Sequence, residues 1–530
     1  MVSLIVFMRT YLPSRNGDAS RCCRSGGLDV LRLCIYTTTL QPEKRWTEEA
    51  GVYEGLGLYI DGSWRSGSGR RTLAVIDPAS ERPLGEVPVA ETSDVEAAIK
   101  AAERARHHWM KVDPWQRAKV IRMVADLMRQ REAEFSSMVA HELGRPLKHV
   151  GGEVALSADQ FEWFAEETKR LYGQTIESRL PNGRIVISHE PVGVVAAFTA
   201  WNFPLVLLAR KIAPALAAGC SIICRPSEET PGSAMLLVKC CHDAGVPHGL
   251  VNLVLGKAKD IAETIMGSPL VRKISLTGSI SVGKQLFRQS ADTLKRMSME
   301  LGGHAPVIVC ADVDASKAAA LTVPVKFRNA GQVCVSPSRY FIHESKVEEF
   351  TTEFVALTRK LKIGSPMAED TDVGPLGTAR RLGKIEALVT ETKKDGAKLE
   401  CGGQRPNGFN AGFYYEPTVF SNCRDSMRIM REEPFGPVVP ISSFRTVDEV
   451  IERSNALDYG LASYVFTRDA ATANDISRRL KAGMVGVNTF ALAAAEAPFG
   501  GVHDSGFGRE GGIYALRDYL EPKYAHFVPL

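Results

Sequence analysis

The spacing of apolar positions divides the chain. "SDVEAAIKAAERARHHW" and "QRAKVIRMVADLMRQREAEFSSMVAHELG" place theirs three and four residues apart, with Ser93 as the predicted N-cap and Gly144 as the stop. A third helix is predicted to about Leu171. Upstream, "GLYIDGSW" (Gly57–Trp64) reads as a strand and tight turn that opens the fold. After "LPNGRIVISHEPVG" short apolar runs alternate with helical stretches. "VVAAFTA", "SIICRPS", "VNLVLG", "KISLTG" and "MSMELGG" are predicted strands. "LVLLARKIAPALAAG", "PGSAMLLVKCCHDAG" and stretches from Ala258 and Ser281 are the helices between them. This repetition predicts an α/β fold with a doubly wound parallel sheet, a fold that binds nucleotides at the carboxyl ends of its strands. A second α/β series runs from Pro306 to about Val487, and "YLEPKYAHFVPL" alternates as an edge strand would.

Composition narrows the class. A chain of 530 residues has room for two to four domains, and 45% apolar with 24% charged residues is ordinary for a soluble protein. Residues 1–45 hold seven Lys/Arg against three Asp/Glu, which is the whole net charge of +4. The remainder is near neutral and offers no argument for a nucleic-acid partner. Eleven cysteines, an odd number without metal-ligand or disulfide spacing, point to a reduced intracellular setting and to no metal site. Pro191–Ala209 is uncharged, but Gly193, Trp201, Asn202 and Pro204 interrupt it and Arg210-Lys211 follow; it fits a buried strand and turn, not a membrane span. Residues 1–50 are an extension, either a transit peptide or a start assigned too far upstream. The lack of sustained amphipathic period favours the second and a cytoplasmic location; a true transit peptide would make it mitochondrial.

Three segments carry candidate chemistry. "TAWNFPLVLLARK" puts Asn202 in a turn after a buried strand, where its amide is either a turn former or an oxyanion donor. "MSMELGGHAP" ends a strand with Glu300 before two glycines that let backbone approach a ligand. "FRNAGQVCVSPSRYF" sets Cys334 between two valines, where a thiol is inert packing unless a base or a stabilised thiolate activates it.

In this order and spacing the three segments resemble the aldehyde dehydrogenase superfamily, from about Gly57 to the end of the chain. "LTGSISVG", "REEPFGPVV" and "APFGGVHDSGFGREGG" agree with it. The resemblance implies an NAD-binding domain over 51–176 and 190–301, a catalytic domain over 302–498, and a small β oligomerisation arm from 177–189 and 499–530. It implies a homodimer or homotetramer. It also implies roles: Cys334 is the nucleophile, Asn202 and the backbone N–H of Cys334 hold the oxyanion, and Glu300 activates the hydrolytic water. Thr199, Trp201, Arg225, Ser227, Glu228, Gly278, Ser279, Glu433 and Phe435 match cofactor contacts.

Gly278 and Ser279 lie between a strand and a helix start, which favours a pyrophosphate. Arg225 stands where the family usually has Lys. Glu228 can accept from both adenosine ribose hydroxyls and would repel a 2′-phosphate, so NAD is expected over NADP. Arg210, eight residues after Asn202, and Arg328, six before Cys334, are similar to the carboxylate grip of succinate-semialdehyde dehydrogenases, which makes succinate semialdehyde the expected substrate. Ala493 and Ala494 occupy the region where that branch has a third contact, a Ser, so a longer ω-carboxy, a hydroxy or an apolar aldehyde is the alternative. Ser336 replaces the second Cys of some relatives, which removes a local disulfide partner. A thiol-dependent esterase or acyltransferase would need a paired His, and only His304 and His343 lie within thirty residues of Cys334. A non-catalytic protein on a borrowed fold is the remaining alternative.

Overall fold

Five parallel strands, nearly every residue of them buried, form the middle of the first sheet: Arg296–Glu300, Val271–Thr277, Val194–Phe198, Ser221–Arg225 and Val251–Leu253, in that spatial order. Their continuous apolar runs follow from burial on both faces. The structure is a computed structural model that describes residues 52–530; the predicted extension over 1–50 lies outside them. On one edge Leu58–Ile60 and Ser63–Arg65 form the predicted strand and turn as an antiparallel pair. On the other, Gly506–Phe507 pairs antiparallel with Met299–Glu300. The result is an eight-stranded sheet whose five parallel strands end at Phe198, Arg225, Leu253, Thr277 and Glu300.

Helix Val206–Ala218 is buried at all 13 of its positions, including Arg210 and Lys211. It packs against helix Gly151–Thr168, which in turn packs on Pro114–Gln130. Helix Thr92–Trp109 begins one residue before the predicted cap. Glu91, not Ser93, is the N-cap, because Asp94 closes the first turn by accepting from Glu91 N at 2.9 Å. The Ser93 hydroxyl instead meets that of Ser68 at 3.0 Å. Helix Glu132–Leu143 stops at Gly144, whose φ of +76° is left-handed.

The second sheet has seven strands: Lys398–Cys401, Thr418–Ser421, Val438–Phe444, Pro337–His343, Ala305–Val309, Ala462–Phe466 and Met484–Val487. All neighbours but the first pair are parallel. Its core is aromatic and aliphatic, with Tyr340, Phe341, Phe350 and Phe354 buried together. A third sheet is antiparallel and three-stranded, Gln174–Glu177, Arg184–Pro191 and Leu520–Phe527, with Leu520 opposite Pro191 and Phe527 opposite Arg184. The segment expected to form an arm over 499–530 is therefore divided. Its first part returns to the first sheet, where a Cβ on Gly506 would lie 2.0 Å from the carbonyl oxygen of Met299; only a glycine backbone approaches that edge. Among the described residues no helix is long and apolar enough to cross a membrane.

A Cβ on Gly144 would lie 2.4 Å from Cγ of Pro375. Gly144→Ala combines that clash with a strained left-handed alanine. It is expected to destabilise the fold by about 1–3 kcal/mol, seen as a lower thermal unfolding midpoint. An unchanged midpoint would show that the turn yields without cost.

Candidate active site

Asn202, Glu300 and Cys334 come from three different stretches of backbone. Asn202 sits in the turn after strand Val194–Phe198, and Glu300 ends strand Arg296–Glu300. Cys334 lies in the loop between helix Ala315–Phe327 and strand Pro337–His343 of the second sheet. Side-chain bonds tie two of these together. Asn202 Nδ2 donates to the carbonyl of Gln332 at 3.1 Å, and Asn329 Nδ2 donates to the carbonyl of Asn202 at 3.1 Å. Gln332 is itself fixed, since its Nε2 donates to Asn329 O and its Oε1 accepts from Gly377 N. One amide proton of Asn202 thus holds the Cys334 loop, and the amide carries a second proton able to meet a ligand.

The loop before the thiol is bent by three consecutive left-handed residues, Asn329 (φ 52°), Ala330 (φ 50°) and Gly331 (φ 75°). For alanine this conformation costs about 1–3 kcal/mol and persists only where surrounding bonds over-determine it. The Asn329 and Gln332 bonds supply them. Downstream, Tyr464 Oη donates to Val335 O at 2.7 Å, and Lys326 Nζ donates to Ser336 Oγ at 3.4 Å.

Electrostatics set the resting state. Burial pushes the Cys334 thiol up to about 12; Arg210 opposes that, and Glu433 and Glu300 reinforce it. Burial, then the neighbouring Glu510 carboxylate, pushes Glu300 well above the usual carboxyl range, against Lys211, Arg210 and Arg509. Its Oε2 has no hydrogen-bond partner, and a Cβ on Gly500 would fall 2.6 Å from its Oε1. Gly500 therefore leaves the space that the carboxyl occupies. A buried, unpartnered carboxyl of raised pKa has the properties of a general base.

Arg210 is 3% exposed, stacks over Phe499 at 4.0 Å, and leaves Nε and Nη2 without partners. Its neighbour Lys211 is satisfied by Thr277 Oγ1 at 2.8 Å and by Glu510. Arg328 is exposed, with its guanidinium 5.9 Å from the Phe203 ring centre.

The cofactor candidates gather at the carboxyl edge of the first sheet. Thr199 follows strand Val194–Phe198 and keeps a buried Oγ1 without a partner. Arg225 ends the next strand, donating through Nη2 to Glu228 Oε1 and to Gly256 O, both at 2.7 Å. Ser227 donates to Glu229. Gly278 N donates to Glu300 O at 3.0 Å, and Ser279 N-caps helix Ile280–Ser290 by accepting from Val282 N at 3.4 Å. From the second domain, Glu433 accepts from Gly303 N at 3.3 Å and is pushed up to about 7 by burial. Phe435 meets Trp201 edge to face at 5.7 Å. Strand ends, a helix N-terminus and the orphaned Thr199 hydroxyl fit a dinucleotide.

Sequence reasoning missed Lys211, Glu510, Arg145 and Glu153. For Lys211 the signal was present: a lysine inside "LVLLARKIAPALAAG" is buried and must be paired. Its partner Glu510 is 299 residues away and could not be read locally.

A sequence model described as "Aldehyde dehydrogenase family" matches residues 64–525. The chain is 41% identical to the 3-sulfolactaldehyde dehydrogenase of Pseudomonas putida over 88% of this chain and 96% of that protein. It is 37% identical to the NADP-type succinate-semialdehyde dehydrogenase of Escherichia coli, over 88% of this chain and 96% of that one. The crystal structure of succinate-semialdehyde dehydrogenase from Burkholderia pseudomallei superposes with a TM-score of 0.87 at 39% identity, covering 89% of this chain and 98% of that chain.

With a thiol near 12, alkylation of Cys334 by iodoacetamide in the cofactor-free protein should rise about tenfold per pH unit between pH 7 and 10. Mass mapping of the labelled peptide reads this. A plateau near pH 7 would mean the thiolate is already stabilised at rest.

Proposed function

The chain belongs to the aldehyde dehydrogenase family, and on that premise we propose that it oxidises an anionic aldehyde, succinate semialdehyde first among them, to the acid with NAD. The single observation that carries the substrate is Arg210: a fully buried guanidinium beside the thiol with two N–H-bearing nitrogens unpartnered. A buried unpaired charge is costly, and an anionic group of the substrate relieves it. Arg328, exposed and 5.9 Å from the Phe203 ring centre, supports the same reading.

In this reading the Cys334 thiol gives up its proton to water as Sγ bonds to the aldehyde carbon, and the carbonyl π pair moves onto oxygen. The oxygen that becomes negative is held by the free amide proton of Asn202 and by the backbone N–H of Cys334. Thr199, Trp201, Arg225, Ser227, Glu228, Gly278, Ser279, Glu433 and Phe435 would hold the dinucleotide, which when bound supplies the acceptor for the hydride whose loss turns the adduct into a thioester. Glu300 takes a proton from the water that attacks this thioester, and the acid leaves as the thiol is restored. Covalent capture makes the oxidation an intramolecular step.

A larger anionic aldehyde is the second reading. Ala493 and Ala494 are half-buried and offer no hydroxyl to a short carboxylate. Arg210 can grip a sulfonate as well as a carboxylate, and the Pseudomonas putida relative is named for a sulfonated aldehyde. The third sheet, formed in part by Leu520–Phe527, supports assembly into a homodimer or homotetramer through its exposed Tyr524 and Phe527. The cytoplasm is the proposed location.

Initial NADH formation with succinate semialdehyde and with butanal tests the substrate. Arg210→Ala should raise KM for the carboxylated aldehyde by about 10- to 100-fold, the worth of a charge-assisted hydrogen bond, with little change for butanal. Equal losses for both aldehydes would remove the anion-binding role. Cys334→Ala should abolish turnover of either.

Cofactor choice rests on Glu228, whose side chain remains 35% exposed while paired with Arg225. The wild type should show higher kcat/KM with NAD than with NADP, and Glu228→Ser should narrow that ratio. A wild type that prefers NADP would mean that Arg225 binds a 2′-phosphate in spite of the carboxylate.

A further inference from the structure

We propose that Arg145 is a positioning residue of this site: with Glu153 it fixes the turn that carries Asn202 and so aims the oxyanion-binding amide. The proposal rests on the reading of Asn202 given above and adds the residue that sets its geometry.

Arg145 follows the left-handed Gly144 at the end of helix Glu132–Leu143 and is 1% exposed. A guanidinium cannot shed its charge, so burying it is unfavourable unless it is paired. Nε has no partner, but Nη1, Nη2 and the guanidinium face are answered, all on or beside one short turn. Nη1 donates to Glu153, Nη2 donates to the carbonyl oxygen of Asn202, and the guanidinium lies 4.2 Å over the ring of Phe203.

Glu153 extends the grip. Its second oxygen accepts from Leu205 N at 2.9 Å and Val206 N at 3.1 Å, the first free N–H groups of helix Val206–Ala218. One buried ion pair thus holds the carbonyl of residue 202, the ring of 203 and the N–H groups of 205 and 206. The same helix carries Arg210 and Lys211.

The carbonyl of Asn202 is also where the nucleophile loop attaches, through Asn329 Nδ2 at 3.1 Å, while Asn202 Nδ2 reaches back to Gln332 O. A shift of that carbonyl therefore turns the side-chain amide and the Cys334 loop together. A reacting geometry displaced by about 1 Å loses up to about a hundredfold in rate. Arg145 touches no reacting atom, so its influence passes through Asn202.

The test is a double-mutant cycle on the full chain. Stopped-flow NADH bursts at saturating NAD and aldehyde are measured for the wild type, Asn202→Ala, Arg145→Met, Arg145→Lys and Arg145→Met/Asn202→Ala. The Kd of NAD by tryptophan fluorescence and the unfolding midpoint are recorded for each. Asn202→Ala should slow the burst about 10²- to 10³-fold, and Arg145→Met about ten- to a hundredfold. Arg145→Lys should restore part of the rate, the Kd of NAD should not move, and the double variant should be no slower than Asn202→Ala alone. Penalties that multiply in the double variant, or a burst unaffected by Arg145→Met, would overturn the proposal and leave Arg145 a stability residue. If Arg145→Met does not fold, Arg145→Lys carries the same cycle. A burst unaffected by Asn202→Ala would instead overturn the oxyanion reading, and the proposal with it.

Discussion

The carbonyl oxygen of Asn202 accepts from Arg145 on one side and from Asn329 on the other. Through that atom the turn after a central strand of the first sheet is joined to the loop that carries the thiol. Each of the three candidate groups is held by its own stretch of backbone, and none of these stretches alone fixes its distance to the others. Glu300 is set by a strand end, Asn202 by a turn and Cys334 by a strained loop. Buried hydrogen bonds join two of these pieces, the Asn202 turn and the Cys334 loop. Such bonds are directional, and leaving one unmade in a dry interior costs about 1–3 kcal/mol. The relative position of thiol and amide is therefore held more tightly than either backbone alone would hold it.

Helix Val206–Ala218 shows how similar residues are put to different ends. Arg210 and Lys211 are adjacent, both cationic and both buried. Lys211 is closed off by Thr277 and Glu510 and acts as structure. Arg210 stacks on Phe499 and keeps two nitrogens open. Partnering, not residue type, separates a structural charge from one available to a ligand. The same logic applies to the carboxyls. Glu153 has a partner on each oxygen and braces the turn, whereas Glu300 has an oxygen with no partner.

Burial raises the energy of the charged forms of both Cys334 and Glu300. The thiol is pushed up to about 12 and Glu300 well above its usual range. A thiol held protonated is less open to oxidation and alkylation. A carboxyl held above its ordinary range is a better proton acceptor once charged. Arg210 opposes both shifts, so one cation near the thiol and the carboxyl bears on substrate binding and on proton balance together.

The strands and helices of both α/β series were legible in the chain because their period is local: apolar runs read as doubly buried strands, and three-four spacing reads as helix. The motif glycines were legible too, since a Cβ at Gly500 or Gly302 would intrude on a carboxylate. Boundaries were less so. The chain after Phe499 divides between two sheets, and which edge Gly506 reaches depends on Met299, two hundred residues earlier. Sequence alone determined the elements and their order, and its resemblance to a family singled out Cys334, Asn202 and Glu300 as candidates. Only the tertiary structure decided which buried charges are satisfied. The partners Lys211–Glu510 and Arg145–Asn202 are joined by packing across the fold, and no local period encodes a hydrogen bond of that reach.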